Sequence, residues 1–326
     1  MTGFLVRRAG YYLVLLTVAV FLSYAVAATA LKPRAYFEGR QPRPPAAAVE
    51  AQLTHLGVND HDPLLVRFGT WAGHALTGDL GRTIFDTSVG EEFGRRVGVS
   101  LRLLLVGTLL GTVIGILAGV WSAVRQYRLS DRLVTVTSFV LLSTPVFLLA
   151  VLLKTGARWI NETFGQVISY TGEKTPGLTG GLLAQAGDRA VHLLLPTLSI
   201  ALGAIATYSR YQRASTLDVL GSDYLRTAVA KGLAPRTALL KHGLRVALIP
   251  LSTFFAYGFL AIFTGATLTE TIFGWHGMGE WFVDAVNKND VNAVVAVNLF
   301  AAVVVLASGL VADLLHAVLD PRVRDA

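Results

Sequence analysis

Long apolar runs constrain this chain more than any other feature. A helix needs about 20 apolar residues to cross the hydrocarbon core of a bilayer. Six stretches come close to that length: residues 11–31, 99–121, 132–153, 193–211, 248–270 and 292–316. An open strand crossing lipid would leave its backbone groups unpaired, so these blocks are expected to be helices. The wider composition agrees. The chain is 53% hydrophobic and only 15% charged, where soluble domains carry about a quarter charged residues. The expected class is an all-α polytopic membrane protein with six transmembrane helices.

The first run follows Arg7 and Arg8. It exceeds the roughly 7–15 apolar residues of a secretory leader, which predicts a retained helix. The absence of cysteine removes disulfides, thiolate nucleophiles, iron–sulfur ligation and cysteine-based zinc sites. The net charge of +7 would suit nucleic acid, but its distribution favours basic loops on one side of a membrane. Arg7 and Arg8 precede the first run, and Arg125, Arg128 and Arg132 join the second to the third. Arg213, Arg226, Lys231, Arg236, Lys241 and Arg245 join the fourth to the fifth. Residues 32–98 balance eight basic against eight acidic side chains. This asymmetry predicts cytoplasmic N- and C-termini, with Arg95 and Arg96 against the trend.

The expected division is a cytoplasmic start and first helix at 1–31 and a small folded extracytoplasmic segment at 32–95. A five-helix core at 96–316 and a cytoplasmic tail at 317–326 follow. Within the second part, residues 46–56 predict a short helix stopped by Gly57. Asp62 and Pro63 predict the start of another, with Leu64, Phe68 and Trp71 on one face. Residues 78–81, Gly-Asp-Leu-Gly, predict a turn. This segment reads as a cap on the spans or as a docking surface, and the two are compatible.

The connection at 213–247 is the most informative. Ser222 and Asp223 signal a helix start, residues 224–231 a short helix, and Gly232 its stop. Pro235 opens a second helix leading into the fifth span. The short helix offers Tyr224, Leu225 and Ala228, with Leu233 following. That apolar side either packs on its own chain or inserts into a partner.

Here the sequence resembles a known family. Residues 223–235, Asp-Tyr-Leu-Arg-Thr-Ala-Val-Ala-Lys-Gly-Leu-Ala-Pro, followed by Leu248-Ile-Pro250, resemble the EAA loop of binding-protein-dependent ABC importers. The form is that of B-type subunits of oligopeptide and dipeptide permeases. Arg226, Thr227 and Ala228 fall where the general motif has Glu-Ala-Ala, and Gly232 falls on its glycine. Ala234 replaces a common Ser or Thr before the proline. Further matches are Leu56-Gly-Val-Asn-Asp60 with Pro63, the turn at 78–81, Ser143-Thr-Pro-Val-Phe147 and Leu194-Leu-Pro196. Arg210 to Arg213, residues 274–279 and Leu319-Asp-Pro-Arg322 extend the likeness. The Pro-Gly-Asp-Pro usual after the first span is missing between Ala30 and Phe37.

The resemblance implies a type I ABC importer permease fold. It implies a heterodimer with a second, C-type permease subunit, two cytoplasmic ATPases and an extracytoplasmic binding protein that delivers peptide. Asp223, Tyr224, Leu225, Arg226, Thr227, Ala228, Lys231, Gly232, Leu233 and Pro235 would form the ATPase-coupling loop, and truncating Tyr224 or Leu225 would uncouple hydrolysis from uptake. The chain itself carries no Gly-x-x-x-x-Gly-Lys-Ser/Thr phosphate loop, since Gly172-Glu-Lys-Thr and the glycines at 177–181 fail the spacing. ATP and magnesium would belong to the partner ATPases; no catalytic residue and no cofactor are expected here.

Thr253, Tyr257, Thr264, Thr267 and Glu270 on the fifth span are candidates for a substrate path, because polar groups in a span face the bundle interior. The threonines could instead bond back to their own helix. Glu270 could meet a peptide's amino group or form a structural ion pair. Gly107, Gly111, Gly115 and Gly119 form a four-residue ladder that predicts close helix packing. His55, His61 and His74 have no recognised ligand spacing, so no metal is expected. Glutathione or chelated nickel is the alternative cargo. A stand-alone secondary transporter is disfavoured by the absence of internal repeats.

Overall fold

The structure, a computed structural model, describes residues 2–319, the side chains of residues 2–6, 9, 253 and 255–265 excepted. Among the described residues it is helical, apart from one isolated bridge between Arg82 and Ser88. The chain divides into two compact units. One comprises Thr2–Leu101 and His276–Leu306, and the other Arg102–Trp275 and residues 307–319.

The first unit contains α1 (Thr2–Ala30), α2 (Pro33–Glu38), α3 (Ala46–His55) and α4 (Leu64–Leu76). It also holds the start of α5 (Val89–Val124), all of α12 (Met278–Asn287) and the start of α13 (Val291–Leu319). Phe68 and Trp71 share a face of α4, as their spacing predicts, and that face packs on α1. The Phe68 ring lies 5.0 Å from Phe21 and 5.5 Å from Tyr24, and Trp71 lies 5.7 Å from Tyr24. Gly57 ends α3 at φ +68°, and Gly78 and Gly81 build the expected turn at +91° and +89°. A short helix at Pro33–Glu38 was not expected from the proline-rich stretch. Pro33 occupies its first turn, where a missing N–H costs nothing.

Buried polar groups stitch this unit together. Asp290 accepts from the N–H of Ile84 at 2.8 Å and from Ala293 at 3.1 Å; burial pushes its carboxyl up from the usual range. Asn292 donates to the carbonyls of Leu56 and Arg82. Arg34 bridges Glu50 at 2.8 Å and Asp60 at 2.6 Å. Arg95 and Arg96, which oppose the charge trend, are both paired with Glu92, and Arg96 also with Glu280, so two cations meet two carboxylates. His61 lies against Glu50 and His55 against Asp86.

The second unit is built on α8 (Leu182–Leu220), 39 residues long, with the remainder of α5, α6 (Leu129–Ser143), α7 (Val146–Phe164) and α11 (Leu244–Phe273). The glycine ladder is a seam between α5 and α8. A Cβ on Gly107 would sit 2.9 Å from Ile200 Cγ2, and one on Gly115 would sit 2.8 Å from Tyr208 Cβ. Small residues at four-residue spacing let two backbones approach this closely.

One expected span is bent. The third apolar run, 132–153, is two helices, α6 and α7, bent by 103°. Thr144 is extended (φ −97°, ψ 118°) and Pro145 stands at the start of α7. A residue before proline is pushed out of the helical region, so the apolar run continues while the helix does not. Pro196 and Pro250 remain inside α8 and α11. Among the described residues, four helices, α1, α5, α8 and α13, are long and apolar enough to cross a membrane, and α6 with α7 makes a fifth crossing if taken together.

Candidate functional site

The connection between α8 and α11 folds as the sequence predicts, with one reversal of roles. It forms α9 (Asp223–Ala230), α10 (Pro235–Ala238) and a π turn at Leu239–Gly243 that runs into α11. Pro235 occupies the first turn of α10. Ser222 has the extended backbone of an N-cap, but its hydroxyl donates to the Val219 carbonyl at 2.6 Å instead of capping α9. Gly232 reverses the chain at φ +96°. The N–H of Leu233 then reaches the Ala228 carbonyl at 3.3 Å, a C-terminal closure that favours glycine at this position.

That reversal decides which side chains are available. Leu225 is 4% exposed and packs with Val219, Ala238, Leu239 and Ala247, flanked by Val120, Leu220, Ala228 and Leu233. Leu225 and Ala228, three residues apart, share the buried face of α9. Tyr224 is 45% exposed. Asp223, Arg226, Thr227, Lys231 and Pro235 are exposed as well, with Arg226 and Asp223 3.8 Å apart as a surface pair. Leu225 is therefore an anchor to its own chain, and the projecting surface includes Tyr224, Arg226, Thr227 and Lys231.

The base of α9 is braced from several helices. Ser215 of α8 donates to the Ala247 carbonyl of α11 at 2.9 Å. Arg245 of α11 donates to the carbonyls of Val318 and Leu319 at 2.9 Å each, capping the last turn of α13 with a cation as the helix dipole favours. Arg213 of α8 grips Asp131 of α6 with two hydrogen bonds, 2.7 and 2.9 Å. In the sequence Asp131 counts only as a lone acid among Arg125, Arg128 and Arg132; that isolation was the available signal for a structural partner.

The substrate-path candidates are only partly visible. The side chains of Thr253, Tyr257 and Thr264 lie outside the described residues. Thr267 is half-buried, and Glu270 is 1% exposed in the last turn of α11. The Glu270 carbonyl accepts from the Trp275 N–H at 2.8 Å, with Gly274 at φ +68° completing the cap. Thr271 bonds back to the Thr267 carbonyl at 3.0 Å, the local satisfaction expected of threonines in helices.

Long apolar helices carrying one short, braced and exposed helix define a multi-pass membrane protein. Residues 111–325 match the binding-protein-dependent transport system inner membrane component family, and this chain belongs to it. It is 52% identical over 325 residues, 99% of both chains, to the oligopeptide transport system permease protein OppB of Mycobacterium tuberculosis. It is 35% identical to the oligopeptide transport system permease protein AppB of Bacillus subtilis over 84% of each chain. The glutathione transport system permease protein GsiC of Salmonella paratyphi A is 30% identical over 98% of this chain and 97% of its own.

Proposed function

We propose that this chain is one of two membrane subunits of an ATP-driven importer of oligopeptides or dipeptides. The observation that carries the cargo is the end-to-end similarity to a protein named as an oligopeptide permease. In this reading the chain crosses the membrane six times, through α1, α5, the bent pair α6–α7, α8, α11 and α13, with both ends in the cytoplasm. Residues 32–95 face outward and receive a peptide-loaded binding protein. A sister permease subunit completes the path, and two partner ATPases hold ATP and magnesium.

The exposed side of α9 supports the coupling role. Tyr224, Arg226, Thr227 and Lys231 project while Leu225 ties the helix to α8, α10 and α11. ATP-driven closure of the ATPases would push α9 and, through that anchor, bias the bundle between inward-open and outward-open states. ATP must stabilise one of the two more than the other for this to work.

The test is uptake of a labelled tetrapeptide by cells lacking this chain and by cells with it restored. Loss and recovery of ATP-dependent uptake supports the reading; unchanged uptake, with redundant importers deleted, refutes the peptide cargo. Glutathione is the second reading, favoured by the similarity to a glutathione permease along nearly the whole chain. Labelled glutathione in the same cells separates the two.

A further inference from the structure

One carboxylate in the second unit does more than the proposed function requires of it. Asp131 lies in the first turn of α6, with its side chain 4% exposed. It receives two hydrogen bonds from Arg213 of α8, one from the Ser122 hydroxyl of α5, and a 2.9 Å bond from the Tyr127 N–H. The Thr135 hydroxyl approaches the same group at 3.5 Å. Asp131 therefore joins three helices and the turn between two of them.

The turn carries an independent sign of constraint. Tyr127 stands at φ +67°, a left-handed conformation that non-glycine residues adopt only when the surroundings impose it. Its side chain is exposed, and its N–H is held by Asp131. At the same level α5 and α8 touch backbone to backbone: a Cβ on Gly119 would lie 2.5 Å from the Ser209 carbonyl oxygen and 3.0 Å from the Arg213 nitrogen. Val120, one residue further along α5, packs against the cluster around Leu225. Arg213 itself lies ten residues before the start of α9 at Asp223. The ends of α5, α6 and α8 thus form a fixed node beside the base of α9.

We infer that Asp131 and Arg213 are a positioning pair that makes α6 move together with α8 when α9 is displaced during transport. This rests on the coupling role proposed for α9 and adds the route by which the displacement reaches the bent pair α6–α7. A half-buried two-point ion pair suits this task. Arginine and carboxylate match in a planar fork that fixes orientation as well as distance. Lysine at position 213 would keep the charge and lose the fork.

The experiment uses the whole assembled importer. The chain contains no cysteine, so labels are introduced at exposed Leu129 on α6 and exposed Asp218 on α8. Their spin–spin distance is measured in nucleotide-free and ATP-trapped complexes. Peptide taken up per ATP hydrolysed is measured in unlabelled complexes. The expected result is one narrow distance in both states of the parent. In Asp131→Asn the distribution should broaden and uptake per ATP should fall at least tenfold while the ATPases remain bound. Arg213→Lys, the milder change, should give intermediate values of both. An unbroadened distance in Asp131→Asn overturns the proposal. So does a loss of uptake and hydrolysis in equal proportion to lost complex, because a merely structural pair would do that. Tyr224→Ala separates the underlying reading: if it leaves uptake per ATP unchanged while Asp131→Asn broadens the distance, the coupling role of α9 fails and the node stands.

Discussion

The seam between α5 and α8 gives a sharp quantitative test at Gly111. A Cβ there would fall 2.5 Å from Ala204 Cβ, 2.9 Å from the Ala201 carbonyl oxygen and 3.1 Å from Ala201 Cα. Carbon atoms rest at about 3.5–4.0 Å, so the helices would have to part locally by about 1 Å. The obstructing atoms are backbone or attached directly to it, and no side-chain rotation can relieve them. Overpacking of this kind costs about 1–3 kcal/mol. Against it stands the gain from replacing glycine inside a helix, about 0.5–1 kcal/mol. Gly203 on α8 supplies the control, since its Cβ would meet nothing nearer than Val146 Cγ2 at 3.7 Å. It should show only the gain.

The two alanine variants should therefore differ by about 1–3 kcal/mol, with Gly203→Ala at or above the parent and Gly111→Ala below it. For chains of 150–250 residues each kcal/mol moves the midpoint by about 2–4 °C, so the gap is several degrees in a thermal melt of the purified protein in lipid discs. Gly119→Ala should resemble Gly111→Ala, because its nearest atom is the Ser209 carbonyl oxygen at 2.5 Å. Gly107→Ala should be milder, because it meets the Ile200 side chain at 2.9 Å. Equal melting of Gly111→Ala and Gly203→Ala would refute the claim that the seam is closed to a single methyl group.

The remaining predictions concern α9 and the segment at 32–95. Leu225→Ala should cost about 2–5 kcal/mol, as buried leucines do, and increase proteolysis between Asp223 and Pro235. Tyr224→Ala should leave proteolysis unchanged and reduce uptake per ATP; identical proteolysis of the two would contradict the anchor assignment. Gly232→Val should loosen the same loop, since a β-branched residue at positive φ is strained by about 1–3 kcal/mol; unchanged amide exchange at Leu233 would count against it. Glu50 and Asp60 have carboxyls held below their usual range, chiefly by hydrogen bonds from Arg34. A depressed native pKa adds stability that is present above the unfolded value near pH 4 and is lost as pH falls through the native value. The stability advantage of the parent over Arg34→Gln should therefore shrink as pH drops from about 5 towards 3, measured by melts across that range; a constant gap would refute the linkage. Asp290→Asn should destabilise by about 1–3 kcal/mol, since an amide has one acceptor oxygen for the two N–H groups of Ile84 and Ala293, and equal melting would show that one bond is dispensable.

What the sequence could and could not reveal follows from the range of the interactions. The long apolar runs, the glycine seam, the turn at residues 78–81 and the stop at Gly232 are written in rules that act within a few residues, and all of them are legible. The break at Thr144 leaves no mark in hydropathy, which measures apolarity and takes no account of direction; Pro145, a residue that kinks or starts helices, is its sign in the sequence. Arg213 and Asp131 are 82 residues apart, and no periodicity joins them. The orientation of α9 lies between these cases. Tyr224, Leu225 and Ala228 can be placed on a helix from sequence, but which of them faces inward depends on the reversal at Gly232 that returns Leu233 to the same cluster. A helix proposed to couple this chain to a partner must be held from behind, and its holding side chains are apolar like those that would grip the partner. Composition cannot separate the two sets, and only the packing at Val219, Leu239 and Ala247 shows that Leu225 belongs to the first.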